Sequence, residues 1–291
     1  MNILCLDIGG THTRAALVGN DGLVEKKVEK TPQANSDAML DLSKNLINDL
    51  KKKETNKILA ISIGCAGPVK DSIMEGSKPM ELSVSIDFQK FMGEHFDLPI
   101  FVANDLQMAI RAEKTYGQGK GTKNFALVTL STGIGVAVVM DNKPLDSRIE
   151  IGHNIVETDQ NIARTCTMGH KGCWVSQASG SAIKTYLSEQ RLNISLEEFF
   201  KKPDRNILDK LIKANTNGLT QIIHAYDPEK IIIMGSLGIK QFHQIIPSYV
   251  NIENYCLLRP IPPIIKSKLG DEIGLLGAYE FAKERLDIKN A

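Results

Sequence analysis

Two stretches of the sequence share one pattern, an apolar strand, a turn of small residues and a second apolar strand. The first begins with NILCLDI (2–8), turns at Gly9–Thr13 and continues into AALV (15–18). The second is FALVTLSTGIGVAVVM (125–140), which turns at Ser131–Gly135. Two copies of one supersecondary unit indicate an internal duplication. The pattern predicts a duplicated α/β protein with two lobes.

The remaining periodic segments agree with an α/β class. Buried strands are predicted at ILAISIG (58–64), at PIFVAND (99–105) and within DPEKIIIMGS (227–236). Helices are predicted from a cap at Asn35 or Ser36, from Leu106, over 207–224 and over 270–286. This order predicts a small N-terminal lobe at 1–115, completed by a C-terminal helix at 275–291, and a large lobe at 116–274.

Composition limits the partners and the compartment. The chain has 291 residues, 42% of them hydrophobic and 24% charged, and a net charge of +1. This balance gives no electrostatic reason to expect nucleic acid or a membrane surface as a partner. The N-terminus lacks the features of a signal peptide, and apolar runs such as Ile231–Met234 are too short to span a bilayer. Five cysteines favour reduced thiols and a cytoplasmic protein, with Cys5, Cys65 and Cys256 in packing roles.

The first turn, within DIGGTHTR, has the composition of a phosphate loop. Glycines such as Gly9 and Gly10 let the backbone approach an anion closely, and successive amides can surround phosphate oxygens. Thr11 and Thr13 add hydroxyl donors, and Asp7 is suited to hold a hydrated Mg²⁺. The alternative is a tight β-hairpin in which the glycines serve only the turn.

Two later loops favour the phosphate interpretation. STGIG offers Thr132, Gly133 and Gly135 in the second hairpin, so that two loops are available for one polyphosphate. IMGSLG follows a predicted strand and offers Gly235 and Ser236 for an adenosine lying against the backbone. The chain contains neither a P-loop nor a GxGxxG motif at these positions.

A candidate catalytic acid follows a predicted strand. VAND places Asn104 and Asp105 at the carboxyl end of that strand, where α/β folds carry their chemistry. A carboxylate there can accept the proton of a substrate hydroxyl that attacks a γ-phosphate. Helix capping is the alternative, since both residue types are good N-caps. Beside two phosphate loops we favour catalysis by Asp105.

The ordered motifs of this chain resemble those of the ROK family of sugar kinases and repressors. They are DIGGTHTR, GCAGPV, VANDLQMAIRAEKTYGQGKG, STGIG, EIGH, CTMGHKGC, GSLG and GDEIGLLGAY. The match runs from residue 2 to about residue 286. The family belongs to the actin/hexokinase/Hsp70 superfamily, so the resemblance implies a two-lobed, actin-like ATPase fold of the ribonuclease H-like type. A duplicated βββαβ core and a cleft between the lobes are implied with it.

The resemblance also implies an activity and a set of site residues. It implies a kinase that uses ATP and Mg²⁺ to phosphorylate a hexose hydroxyl, with Asp105 as general base. Nucleotide contacts are implied for Asp7, Gly9, Gly10, Thr11, Thr132, Gly133, Gly135, Gly235 and Ser236. Sugar contacts are implied for Gly67, Asn104, Asp105, Glu150 and His153. Glucose is the first expectation, and a homodimer is expected from the family.

The segment TCTMGHKGC (165–173) departs from the family pattern. The family pattern places a histidine and three thiolates on zinc, followed by a glutamate on the sugar. Here Met168 replaces the second cysteine and Val175 replaces the glutamate. The remaining candidate zinc ligands are His153, Cys166, His170 and Cys173. The alternative is a turn that has lost its metal. The loss of an acceptor at Val175 makes an N-acylated hexosamine such as N-acetylmannosamine the second candidate substrate.

Two other functional classes compete with a sugar kinase. A repressor of the same family needs a helix-turn-helix module ahead of DIGG, and Met1 leaves no room for one in this sequence. A catalytically weak sugar-binding or sensing protein is suggested by Val175 and Met168, whereas the intact Asp105 and phosphate loops favour the kinase. Trp174, the only tryptophan, is expected either to pack under the loop or to anchor an interface.

Overall fold

The computed structural model of this protein describes residues 1–54, 56–77, 80–147 and 149–290. The chain forms two compact units. The first unit consists of Met1–Lys120 together with Leu269–Ala291, and the second consists of Gly121–Lys268. Ala291, the last residue of the predicted C-terminal helix, lies outside the described residues. The first unit is therefore built from two distant parts of the sequence.

The regular elements are as follows in chain order. The strands of the first unit are β1 (Asn2–Ile8), β2 (His12–Gly19), β3 (Gly22–Lys30), β4 (Ile58–Cys65), β5 (Val69–Lys70), β6 (Ile73–Met74), β7 (Ile86–Asp87) and β8 (Ile100–Asn104). Those of the second unit are β9 (Phe125–Leu130), β10 (Ile134–Met140), β11 (Lys143–Pro144), β12 (Lys230–Met234) and β13 (Ile264–Lys266). The α-helices are α1 (Ser36–Lys53), α2 (Phe88–Gly93), α3 (Asp105–Thr115), α4 (Trp174–Ala178), α5 (Gly180–Glu189), α6 (Leu196–Lys201), α7 (Arg205–Tyr226), α8 (Ser236–Lys240), α9 (Phe242–Ile245), α10 (Tyr249–Glu253) and α11 (Ile273–Asn290).

Each unit contains a five-stranded sheet with the same topology. The strand orders are β3-β2-β1-β4-β8 and β11-β10-β9-β12-β13. In each sheet the central strand pairs antiparallel with the second strand of its hairpin and parallel with the strand on its other side. The short strands β5, β6 and β7 form a separate antiparallel sheet. This repetition confirms the duplicated α/β fold that the two hairpins predict.

The central strand β1 is buried on both faces, and its side chains alternate between two cores. Leu4 and Leu6 pack in a core that α1 and α2 cover, whereas Ile3 and Cys5 pack in one that α3 and α11 cover. Alternate residues of a strand point to opposite faces of its sheet, so β1 must be apolar throughout. The helices on both faces therefore explain why NILCLDI is a nearly continuous apolar run.

Capping side chains set several helix ends. Asn35 is the cap of α1, and its side chain accepts a hydrogen bond of 2.9 Å from Ala38 N–H. The helix predicted over 207–224 begins earlier, at Arg205, because the side chain of Asp204 caps it. The segment predicted as a helix from residue 270 instead opens with a 3₁₀ turn at Gly270–Glu272. Among the described residues, no helix combines the length and the hydropathy that crossing a membrane requires.

Trp174 belongs to the core of the second unit. Its side chain is fully buried, and its indole N–H donates a hydrogen bond of 2.8 Å to Asn215 Oδ1. The ring also fills the space that a side chain at Gly218 would occupy. Packing beneath the loop is therefore confirmed, and the alternative of an interface anchor is wrong.

Candidate active site

The carboxyl ends of β1, β4 and β8 lie at one edge of the first sheet because these strands run parallel. Asp7 lies opposite Gly64, which lies opposite Ala103 on the far side. Neighbouring strands are about 4.8 Å apart, so Asp7 is two strand spacings from the end of β8. Asn104 and Asp105 follow Ala103 directly. We refer to Asp7, Asn104 and Asp105 as the carboxylate edge.

Capping and the candidate catalytic role fall on different residues of the carboxylate edge. Asn104 is the N-cap of α3, and its Oδ1 accepts from Leu106 N–H at 2.9 Å. Its Nδ2 donates to the carbonyl oxygen of Gly67 at 2.8 Å. Asp105 is the first residue of α3, one earlier than the sequence predicts, and its Oδ1 also lies 2.9 Å from Leu106 N. Because Asn104 supplies the cap, helix capping no longer accounts for Asp105.

The two carboxylates of this edge have unusual acidities. The pKa of Asp105 is raised to about 7, mainly by burial and to a smaller extent by the neighbouring Asp7 carboxylate. Hydrogen bonds with Leu106 and Asn104 lower this pKa in part. Burial also raises the pKa of Asp7 to about 6, although the Arg14 guanidinium, 3.6 Å from Asp7 Oδ2, lowers it. A pKa close to neutral pH suits a general base, which must take up and release a proton at working pH.

Residues outside DIGGTHTR hold the first candidate phosphate loop. The hydroxyl of Thr31 donates to the Gly9 carbonyl at 2.7 Å, and Gln33 Nε2 donates to the Gly10 carbonyl at 2.7 Å. Thr11 is exposed. Thr13 differs from the expectation of a phosphate donor, since it is fully buried and its hydroxyl lies 3.0 Å from that of Thr31. Its position suits a role in shaping the turn.

The second candidate phosphate loop lies at the start of α5. Gly180 N–H donates to the Ser131 carbonyl at 2.8 Å, and Ser181 N–H donates to the Thr132 carbonyl at 3.1 Å. Within the turn, Ser131 N–H donates to the Gly133 carbonyl at 2.9 Å. The side chain of Thr132 is exposed, and Gly135 lies in β10. The turn is thus fixed by backbone hydrogen bonds, with an exposed hydroxyl at its tip.

The third candidate loop, at Gly235 and Ser236, lies beside the second loop at the end of β9. β12 runs parallel to β9, so Gly235 follows Met234 beside Leu130. A side chain at Gly235 would place its Cβ 2.4 Å from the Leu130 carbonyl oxygen, and its φ is 86°. Only glycine fits this position without strain. Ser236, the first residue of α8, is exposed. The two predicted nucleotide loops of the second unit are therefore neighbours.

The two predicted sugar residues of the second unit, Glu150 and His153, lie at the two ends of a 3₁₀ turn. Glu150 is exposed and precedes the turn Ile151–His153, and its carbonyl accepts from His153 N–H at 2.9 Å. Val175, on α4, lies against this turn, with its Cγ2 3.1 Å from the Cβ position of Gly152. Val175, at the position where the resemblance implies a glutamate, therefore packs an apolar side chain against the residue that precedes His153.

Three of the four predicted metal ligands come together, and we refer to them as the His–Cys cluster. They are His153, Cys166 and His170, whose ligand atoms all lie within 4.8 Å of one another. His153 Nδ1 lies 3.4 Å from His170 Nδ1 and 3.7 Å from Cys166 Sγ. In a tetrahedral zinc site, ligand atoms are about 3.3 Å apart for two nitrogens and about 3.6 Å apart for nitrogen and sulfur. The two separations that involve His153 and the donor types of the cluster fit zinc.

Cys173 and Met168 complete the surroundings of the cluster. Cys173 is buried at the start of α4, and burial and the Cys166 thiol raise its pKa, although hydrogen bonds with Ser176 lower it. It interacts with Cys166 but is not among the residues whose ligand atoms all lie within 4.8 Å of one another. Met168 has a side chain that is 58% exposed, whereas its backbone N–H lies 3.4 Å from Cys166 Sγ. Its contribution is a hydrogen bond to sulfur rather than a thioether ligand.

Several known proteins are similar to this chain over almost all of its length. The sequence model of the ROK family matches residues 3–285. An N-acetylmannosamine kinase from Haemophilus influenzae is 27% identical, over 98% of this chain and 97% of its own. The structure of a ROK hexokinase from Thermus thermophilus has a TM-score of 0.84 at 22% identity and covers all of both chains.

A third relative has a bound sugar and nucleotide. The structure of a ROK family glucokinase from Streptomyces griseus, in complex with glucose and AMPPNP, has a TM-score of 0.76 at 22% identity. It covers 98% of this chain and 100% of its own. The two structural similarities confirm the fold implied by the motifs. Because the family match extends over nearly the whole sequence, this protein is a member of the ROK family.

Proposed function

We propose that this protein is an ATP-dependent hexose kinase with Asp105 as its general base. The observation that carries the proposal is the position of Asp105 at the start of α3, where burial and Asp7 raise its pKa to about 7. Family membership and the sugar kinases among the relatives support it. Asn104 supplies the helix cap, so the Asp105 carboxylate is assigned to chemistry.

In the proposed reaction, Asp105 accepts the proton of a hexose hydroxyl as its oxygen attacks the γ-phosphorus of ATP. A bond forms between that oxygen and phosphorus, the bond from phosphorus to the β-phosphate oxygen breaks, and ADP leaves with its electron pair. Asn104 fixes the entry of α3 through its hydrogen bonds to Leu106 and Gly67, and thereby orients Asp105. We also assign Asn104 and the Gly67 loop to the sugar.

The nucleotide is assigned to the three small-residue loops. Backbone amides at Gly10 and Gly133 and the hydroxyls of Thr11 and Thr132 supply phosphate donors, which is the chemistry that polyphosphates need. Gly9 N–H donates to the His12 carbonyl at 3.0 Å, so Gly9 is assigned to the close approach of the turn rather than to a donor. The Gly235–Ser236 turn is assigned to adenosine. Magnesium beside Asp7 would supply positive charge to the phosphates. The carboxylate of Asp7, partly buried and next to Asp105, suits a water-mediated metal contact.

The identity of the hexose is the first testable prediction. Glucose remains the first candidate, because Asn104, Asp105, Glu150 and His153 offer groups for several ring hydroxyls. N-acetylmannosamine is the second, supported by the apolar surface of Val175 beside Gly152 and by the similarity to an N-acetylmannosamine kinase.

A coupled assay of ADP release over a panel of hexoses tests both candidates. We expect one of them to have the highest kcat/KM of the panel. If N-acetylmannosamine is the substrate, Val175→Glu should lower its kcat/KM about tenfold, the effect of about 1.4 kcal/mol. Phosphorylation of a ketose or another polyol, with neither candidate turned over, contradicts both. Specific sugar binding without any ADP release would instead favour the weak sugar-binding protein.

Zinc is the second testable prediction. We propose that His153, Cys166, His170 and Cys173 bind one zinc ion, with His170 in place of the thiolate that Met168 has removed. A bound ion would fix the ring of His153, a proposed sugar ligand. The purified protein should contain about one zinc per chain, the stoichiometry of a closed four-ligand site.

Removal of the metal should raise the KM for the sugar more than the KM for the nucleotide. After chelation we expect KM for the hexose to rise about tenfold, the scale of losing metal-side support, while KM for ATP stays nearly constant. His170→Ala should release the ion, whereas His243→Ala, at an exposed histidine of α9, should retain it. A fully active protein without metal, unaffected by added zinc, would show that TCTMGHKGC is a relic turn.

Two further assignments concern the oligomeric state and the location of the protein. We propose a homodimer, as the family resemblance implies, which light scattering of the eluting protein measures. We also propose a cytoplasmic location, which is consistent with all five cysteines being free and buried. Cell fractionation with an antibody to the protein tests that location.

A further inference from the structure

The first turn of α11 lies directly against the Asp7 carboxylate. A Cβ atom at Gly274 would lie 2.5 Å from Asp7 Cγ, 2.7 Å from Oδ2 and 2.8 Å from Oδ1. These are the three atoms nearest to that position. A real Cβ does not approach other atoms this closely, so any side chain at residue 274 would displace the carboxylate.

One helical turn later, α11 lies against the backbone of α3. A Cβ atom at Gly277 would lie 1.8 Å from the carbonyl oxygen of Met108 and 2.2 Å from its carbonyl carbon. Met108 is in the first turn of α3, three residues after Asp105. The helix that begins at Asp105 therefore packs on α11 through backbone contact, and no side chain separates the two.

Gly274 and Gly277 lie close together on a buried stretch of α11. Residues three apart lie on nearly the same face of a helix and about 4.5 Å apart along its axis. Leu275, Ala278 and Tyr279, between and beside them, are buried in the core shared with β1 and α3. Because these side chains anchor α11, the positions of residues 274 and 277 are fixed relative to the sheet.

We propose that Gly274 and Gly277 are positioning residues of the active site. Through them, α11 fixes the separation between the Asp7 carboxylate and the helix that begins at Asp105. A third element thus sets the geometry of a pair of which one member lies on β1 and the other begins α3. The inference rests on the proposed function for its catalytic consequence, but the contacts themselves are tested without any substrate.

The charged surroundings of the pair determine how a displacement would be observed. The Asp7 carboxylate raises the pKa of Asp105. Arg14 and Asp271 face Asp7, with opposite effects on its pKa. On β4, burial and the charges of Asp105 and Asp7 raise the pKa of the Cys65 thiol, so it stays neutral. Moving Asp7 away from Asp105 should therefore lower the pKa of Asp105.

A double-mutant cycle of Gly274→Ala and Asp7→Ala tests the contact by thermal unfolding. In the wild-type background, Gly274→Ala should lower the midpoint by at least about 3 °C. In the Asp7→Ala background the three clashing atoms are gone, so the same change should leave the midpoint unchanged or raise it, since alanine favours helices. Equal losses in both backgrounds overturn the inference, whether or not the protein proves to be a kinase.

Activity measurements then test the positioning role. Gly274→Ala should lower kcat about 10-fold to 100-fold, the scale of a displacement of roughly 1 Å near the reacting groups. The acidic limb of its pH–rate profile should shift, to lower pH where Asp7 moves away from Asp105 and to higher pH where it moves closer, which loss of folded protein alone does not produce. Gly277→Ala should lower both kcat and the unfolding midpoint, because its methyl group meets rigid backbone.

Gly93→Ala is the matched control. Gly93 ends α2 in the same unit, and a Cβ there has no atom within 4 Å. This variant should keep the kcat and the pH–rate profile of the wild type, and its midpoint should be unchanged or higher. A Gly274→Ala enzyme with the wild-type kcat and pH profile contradicts the positioning role. A chain that phosphorylates no hexose, but shows the expected cycle, contradicts the proposed function and leaves the inferred contact intact.

Discussion

Asp105→Asn is expected to lower kcat by about two to four orders of magnitude, the usual scale for loss of a general base. Asparagine has nearly the same shape and accepts the same hydrogen bond from Leu106 N–H, so the start of α3 should not change. It cannot accept a proton from the hexose hydroxyl at neutral pH. The measurement is steady-state turnover at saturating ATP and hexose, together with the affinity for ATP, which should remain close to the wild-type value.

Asp87→Asn is a suitable control for this substitution. Asp87 caps α2, accepts from Lys90 N–H at 2.8 Å and belongs to no proposed site. Asparagine caps helices as well as aspartate does, so turnover should be unchanged. The folded Asp105→Asn protein should be at least as stable as the wild type at pH 8, because it no longer buries a carboxylate beside Asp7. Turnover near the wild-type value in Asp105→Asn would exclude this residue as the base.

The second large expected effect is a fall in kcat/KM at acidic pH. Asp105 must be ionised to accept a proton, and its pKa is raised to about 7. We therefore expect kcat/KM to fall about tenfold for each unit of pH below that value. The fall should steepen below the pKa of Asp7, about 6, as the second carboxylate also takes up a proton. The profile should be measured at constant ionic strength.

Stability should change in the opposite direction over the same interval. Both carboxylates have a folded-state pKa above the ordinary value of 3.8, so the folded protein binds protons more tightly than the unfolded chain. Their contribution to the free energy of unfolding is therefore largest at acidic pH and is lost as the pH rises through about 6 and 7. Between about pH 7 and 5 the activity should fall while the unfolding midpoint does not. This would show that the activity is lost through protonation of the carboxylates and not through unfolding. A flat profile across that range would contradict the assignment of Asp105.

The sequence predicts the fold well where burial on both faces leaves a simple pattern. NILCLDI must be apolar throughout, because Leu4 faces one core and Cys5 the other, and so its strand is evident. Asn35 marks the start of α1 because capping is a local interaction. By contrast, the strands β5, β6 and β7 are too short to show a period and were not predicted.

Only part of the candidate site can be predicted from the sequence, because many of its contacts join residues that are distant in the chain. The motifs identify Asp7 and Asp105, but they do not show that Gly274 touches Asp7. Thr31 and Gln33 support the first loop only because β3 pairs with β2. In the same way, the place of His170 beside His153 depends on a turn whose hand the sequence does not specify. No sequence signal short of the fold itself would have found these contacts.

The division of the first unit into two segments has a consequence for protein synthesis. The ribosome makes β1 to α3 before the second unit, and α11 after it. Domains tend to fold as they are completed, so the second unit can fold while the first still exposes the face that carries Ile3 and Cys5. Until α11 emerges and docks, the contacts of residue 274 with Asp7 and of residue 277 with α3 are not made. A nascent chain is therefore expected to remain catalytically incompetent until α11 has been synthesised, because this helix both closes the core and sets the spacing of the two carboxylates.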